Sequence, residues 1–143
     1  MTKRILIVED NALVREMYRS ALKSTGAHLV ETQRGKDVLE LARREKPDLV
    51  ILDLILPDMS GRDVAKALKS NPETGHIPLL AVSNAVTAGD ESALRLIGFA
   101  GLVTKPIDIR SFAQTVMRFI GGELAITFAA LQAIEIINRR LAE

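Results

Sequence analysis

Cysteine is absent from the 143 residues, which excludes disulfide frameworks, thiolate metal sites and cysteine nucleophiles together. Charge of one sign is not in excess either. The formal net charge is +1 and no basic run is long, so neither nucleic acid nor a membrane surface is expected as a partner. Histidine is scarce: His28 and His76 sit in different segments, so a zinc-type site is not expected and both read as surface residues. Long hydrophobic runs are missing too. The N-terminal Ile5-Leu6-Ile7-Val8 is too short for a signal-peptide core, nothing reaches membrane-spanning length, and a cytoplasmic address is the expectation. What remains is a chain 48% hydrophobic and 26% charged, long enough for one domain with its own core.

Short aliphatic runs alternate with stretches of helical periodicity. Strands are expected near 4–8, 28–32, 49–52, 78–83 and 101–104. Ile5-Leu6-Ile7-Val8 and Leu49-Val50-Ile51-Leu52 are continuously apolar, as strands buried on both faces must be; the more mixed run with His28 and Glu31 suits a sheet edge. Helices lie between them. Asn11 can cap one carrying Val14, Met17, Ala21 and Leu22, with Gly26 beyond its end. A second carries Val38, Leu41 and Ala42 and stops before Pro47. Ser60 with Asp63, and Thr87 with Asp90, fit capping boxes for the third and fourth, and Gly98 ends the fourth. Asp108 can cap a fifth, with Phe112, Val116 and Phe119 on one side. Five such alternations predict an α/β domain built on a parallel sheet covered on both faces. Ligands of such sheets bind outside the carboxyl ends of the strands.

Those ends carry the chemistry. The first strand runs into Glu9-Asp10, the third ends at Asp53, the fourth at Ser83, and Lys105-Pro106 follows the fifth. Each residue alone is a common turn or cap residue, and an inert carboxylate cluster is the plain alternative. Together they place three carboxylates, a hydroxyl and an ammonium on one edge. Crowded carboxylates need a proton or a cation, and magnesium prefers such all-oxygen sites. An aspartate can serve as nucleophile to form an acyl phosphate, a reaction that needs positioning and charge neutralisation above all. Asp53 is assigned as that nucleophile. Glu9 and Asp10 would hold the metal, and Lys105 and Ser83 would contact phosphoryl oxygens.

Residues Ile5 to Asn11, Pro47 to Gly61, Ala81 to Asn84 and Thr104 to Pro106 together resemble the receiver domains of response regulators, over about residues 3–120. The likeness is to stand-alone receivers of the chemotaxis and cell-cycle kind. It implies a doubly wound, flavodoxin-like sheet of order 2-1-3-4-5 and phosphoryl transfer to Asp53 from a sensor histidine kinase or a histidine phosphotransfer protein. It also implies magnesium bound by Glu9, Asp10, Asp53 and the backbone carbonyl of Ile55. Ser83 would move toward the phosphate, and a cis bond would precede Pro106. The protein would then be a phosphoacceptor with weak self-phosphorylation and self-dephosphorylation, not an enzyme in the ordinary sense.

Two positions depart from the family pattern. The family usually has Tyr or Phe three residues before the lysine, where this chain has Leu102, and Phe99 is out of register. Phosphorylation is therefore expected to shift 83–90 with weaker coupling to the 98–106 face. Two residues beyond the acceptor the family often has a polar side chain that can influence attacking water. Ile55 cannot orient water, so slow self-dephosphorylation is expected.

The receiver pattern occupies 1–120, and 121–143 forms a helix-compatible extension behind Gly121-Gly122. A helix-turn-helix module does not fit in that length, so output is expected through docking to a downstream protein. Ile126, Ala130, Ala133, Ile137 and Leu141 form one stripe at 3.6 residues per turn, while Leu124, Phe128 and Leu131 lie nearly opposite. Homodimerisation through Ile126, Ala130, Ala133 and Ile137, docking onto the chain's own domain, and binding to another protein all remain open. Two rival functions stand beside the switch. One is a constitutive receiver-fold scaffold or dimer with vestigial phosphorylation. The other is a magnesium-dependent phosphohydrolase, disfavoured by short strand-end loops that enclose no substrate.

Overall fold

The computed structural model describes residues 2–84, 88–120, 136–137 and 139–142. Among them, five parallel strands form one sheet: β1 (Arg4–Val8), β2 (His28–Thr32), β3 (Leu49–Asp53), β4 (Leu79–Ser83) and β5 (Gly101–Thr104), in the order β2-β1-β3-β4-β5. Five helices connect and cover them: α1 (Ala12–Leu22), α2 (Val38–Glu45), α3 (Gly61–Ser70), α4 (Ala88–Ile97) and α5 (Ile109–Phe119). The expected doubly wound architecture is what the chain adopts.

The unbroken apolar strands have a direct cause. Alternate residues of a strand face opposite sides, and here both sides are covered. Leu6, Val8, Val50, Leu52 and Ala81 enter a core with Val38 and Ala42 of α2, Val64, Ala65 and Leu68 of α3, and Leu94 of α4. Their neighbours Ile5, Ile7, Leu49, Ile51, Leu80 and Val82 enter the other, with Tyr18, Ala21 and Leu22 of α1 and Phe112, Val116 and Met117 of α5. β2 lies at the sheet edge and is half-buried, as its mixed composition predicts.

Helix ends follow the local chemistry. Asn11 Oδ1 accepts from the Leu13 and Val14 N–H groups, Ser60 Oγ from Arg62, and Asp108 Oδ1 from Arg110. Lys46 closes α2 in the left-handed region, with φ 49°, and Pro47 follows. Gly98 closes α4 at φ 122°. Thr87 lies outside the described residues, so its capping role is not on view.

Ile126, Ala130 and Ala133 also lie outside them. Residues 136, 137 and 139–142 are helical, and Ile136, Ile137 and Leu141 are exposed. No helix among the described residues is long and apolar enough to cross a membrane.

Candidate functional site

The switch point of this sheet lies between β1 and β3, because the chain leaves β1 toward β2 on one side and returns to β3 on the other. Glu9 and Asp10 follow β1 there, and Asp53 is the last residue of β3. Ladder bonds continue past the strand ends and fix the edge. Glu9 N–H donates to Thr32 O at 3.0 Å, Leu54 N–H to Val82 O at 3.2 Å, and Lys105 N–H to Ser83 O at 2.7 Å.

Four of these side chains, Glu9, Asp10, Asp53 and Lys105, lie together. Carboxylate oxygens of Glu9, Asp10 and Asp53 all lie within 4.8 Å of one another. Lys105 Nζ reaches between two of them, 2.7 Å from Glu9 Oε1 and 3.0 Å from Asp53 Oδ2. The remaining oxygens of that pair take backbone donors: Asn11 N–H at 3.2 Å on Glu9 Oε2, and Ile55 N–H at 3.0 Å on Asp53 Oδ1. Glu9, Asp53 and Ser83 are buried and Asp10 is exposed. The cluster thus has a closed floor and one open side. The Lys105–Pro106 bond is cis. Leu102 is half-buried and packs on the core that holds Phe99 and Leu94, while Ile55 is 70% exposed. His28 and His76 are exposed, and neither belongs to the potential metal-ligating cluster found among the described residues.

Burial pushes the Glu9 carboxyl up to about 7, against the opposing pull of Lys105 and the Asn11 N–H, and Asp53 adds to the rise. Burial works against the Lys105 ammonium, yet its hydrogen bonds to Glu9 and Asp53 hold it above its ordinary value. Three carboxylates against one ammonium leave an excess of negative charge in a partly buried place. That excess, together with an oxygen-only donor set, fits a hard divalent cation such as magnesium.

Some contributors are not evident from the strand-end pattern. Arg15 Nη1 donates to the backbone carbonyls of both Glu9 and Asp10, at 2.9 and 3.0 Å, and pins the acidic turn. Tyr18 is buried beneath the site against Phe112, ring centroids 5.3 Å apart, and burial pushes its phenol up, with Glu9 and Asp53 adding to the rise. The i, i+4 spacing of Val14, Tyr18 and Leu22 is the signal that would have placed Tyr18 on the inner face.

Known proteins match this arrangement. The model of the response regulator receiver domain matches residues 5–117. The polar-differentiation response regulator DivK of Brucella ovis is 38% identical over 121 residues, covering 85% of this chain and 98% of DivK. In solved structures, a putative response regulator from Chloroflexus aurantiacus superposes with TM-score 0.78 at 23% identity, covering 84% of this chain and 98% of that one. The receiver domain of sensor histidine kinase PA1611 from Pseudomonas aeruginosa, with magnesium coordinated in its active-site cleft, gives TM-score 0.76 at 22% identity over 85% of this chain and all of that one. At those identities the two structures speak for the fold alone.

Proposed function

The chain belongs to the response-regulator receiver family, and from that premise we propose that Asp53 accepts a phosphoryl group from a histidine of a sensor kinase or histidine phosphotransfer protein. The observation that carries the reading is Lys105 Nζ held between Glu9 and Asp53 at the open carboxyl edge of the sheet.

In the transfer, an Asp53 carboxylate oxygen bonds to phosphorus as the N–P bond of the donor phosphohistidine breaks, and the imidazole keeps that electron pair. Asp53 Oδ1 is tethered by the Ile55 N–H, so the carboxylate is oriented before the donor arrives. Lys105 already sits on Oδ2 and can pass to a phosphoryl oxygen as charge develops there. Ser83, at the end of the neighbouring strand, offers a hydroxyl to another. Glu9, Asp10 and Asp53, with the Ile55 carbonyl, would hold magnesium, whose charge offsets that of the phosphoryl group. Asp10, the exposed acid, lies on the side from which the group must enter.

The phosphorylated and unphosphorylated forms would differ in their contacts with a downstream protein. Residues 121–143 are read as a separate interaction element that pairs two copies of the chain.

Incubation with acetyl phosphate and magnesium, followed by intact-mass measurement, tests the assignment. One phosphate adduct is expected in the wild type and none in Asp53→Asn. An unmodified wild type would favour the constitutive scaffold, which the half-buried Leu102 in place of a mobile ring also suits.

A further inference from the structure

The Asp53 carboxylate is oriented by the backbone that follows it, so whatever holds that backbone also holds the acceptor. Residues 54–60 form a loop with a narrow neck. Ile55 and Ser60 bridge across it, and Gly61 N–H donates to Leu54 O at 2.9 Å. A Cβ at Gly61 would collide with the backbone of Asp53 and Leu54, so α3 begins as close to the acceptor as a chain can come.

The neck ties the base of the loop, not its tip. The tip carries Asp58, which reaches a different segment of the chain. Its Oδ1 accepts from the Gly35 N–H at 2.8 Å and its Oδ2 from the Lys36 N–H at 2.9 Å. Met59 lies directly over Gly35, where a Cβ would meet its Cγ and Val64 Cγ2, so the same two segments are also packed together. Both carboxylate oxygens of an exposed side chain are thus committed to backbone donors more than twenty residues away. The donors lie on the β2–α2 connection, which contributes no side chain to the acidic cluster. The Asp58 carboxyl is held below its ordinary value by the Lys36 N–H, with the Gly35 N–H adding to it, as expected for a carboxylate bound as an anion.

We propose that Asp58 is a positioning residue for the phosphoacceptor: clamped to the Gly35 and Lys36 amides, it fixes the loop whose Ile55 amide orients Asp53 and whose Ile55 carbonyl would face the metal. The inference rests on the acceptor reading of Asp53. It adds the β2–α2 connection to the elements that set metal affinity, and it makes the coupling reciprocal. If the clamp favours binding, binding must tighten the clamp.

The experiment uses the full-length, 15N-labelled protein titrated with magnesium chloride, following the Ile55 amide for affinity and amide exchange at Gly35 and Lys36 for the clamp. In the wild type, magnesium shifts Ile55 and slows exchange at both amides. In Asp58→Ala the magnesium dissociation constant rises about tenfold, the usual size of such support around metal ligands. Exchange at 35 and 36 then no longer responds to the metal. Asp58→Asn, which keeps one acceptor oxygen, falls between the two. The wild-type exchange response stands even if the alanine variant folds poorly. Unchanged affinity in both variants, with metal-insensitive amides in the wild type, overturns the clamp and leaves the acceptor reading intact. A wild type whose Ile55 amide ignores magnesium brings down both.

Discussion

Replacing Glu9 with glutamine should stabilise the metal-free protein, by an amount that grows with pH. Glu9 has no exposed surface, and burial pushes its carboxyl from an ordinary 4.5 to about 7. The Lys105 ammonium at 2.7 Å and the Asn11 N–H at 3.2 Å pull the other way without winning. Below pH 4.5 the group is protonated in both folded and unfolded chains, and its presence costs nothing. From there to about pH 7 the unfolded chain releases the proton while the folded chain keeps it, so stability falls. Above that the folded site ionises as well and the loss levels off. At about 1.4 kcal/mol per pH unit, the plateau penalty is roughly 3 kcal/mol, a large share of the stability of a domain this size.

Urea denaturation of wild type and Glu9→Gln in EDTA, at steps from pH 4.5 to 8, reads this directly. The stability gap should open from near zero to roughly 3 kcal/mol in favour of the variant. Magnesium should narrow the gap at the alkaline end, because the cation binds the folded acid cluster and not the unfolded chain. A gap that is flat across the range, or that closes as pH rises, would mean Lys105 keeps Glu9 ionised throughout. The attraction would then outweigh burial, and the reasoning would be wrong.

Ile55, 70% exposed and two residues beyond the acceptor, offers no group to orient water, so the phosphoryl group should persist. Ile55→Gln should shorten its lifetime several-fold in magnesium, and a wild-type half-life of a few seconds would refute the shielding role. Amide exchange on phosphorylation should change more at Ser83, Asn84 and 88–90 than at 98–106, because Leu102 is a half-buried aliphatic with no ring to turn inward. Equal changes in both segments would count against that. Light scattering of the full chain should give a mass near twice 15.6 kDa, and Ile137→Asp should return it to the monomer; a monomeric wild type would assign the tail another task.

Much of this molecule is legible in the chain because its signals are local. An aliphatic run of four residues followed by an acid identifies β3 and its cargo without reference to anything distant, and Asn11, Ser60 and Asp108 announce the helices they cap by bonding two or three residues ahead. The strand-end rule then carries the argument one step further. It brings Lys105 to Glu9 across 96 positions, because both sit on the same edge of one sheet. Where no such rule applies, the sequence is silent. Asp58 reads as a turn residue between Pro57 and Gly61, and nothing in its neighbourhood says that its partners are the amides of Gly35 and Lys36. Arg15 belongs to no motif in the chain, although its guanidinium closes over the carbonyls of Glu9 and Asp10. Both act on backbone groups, and backbone groups carry no residue identity.

That difference has a functional side. The groups expected to touch the phosphoryl group are set by chemistry, so their residue types betray them. The groups that hold them in place need only a carboxylate or a guanidinium within reach of a peptide bond. The legible half of the site is its chemistry; the hidden half is its geometry, and the two meet at Ile55. Its side chain departs from the family pattern, while its N–H orients Asp53 as any residue's would. On the proposed reading of Asp53, a change of side chain at 55 should alter the lifetime of the phosphoryl group and leave the orientation of the acceptor unchanged.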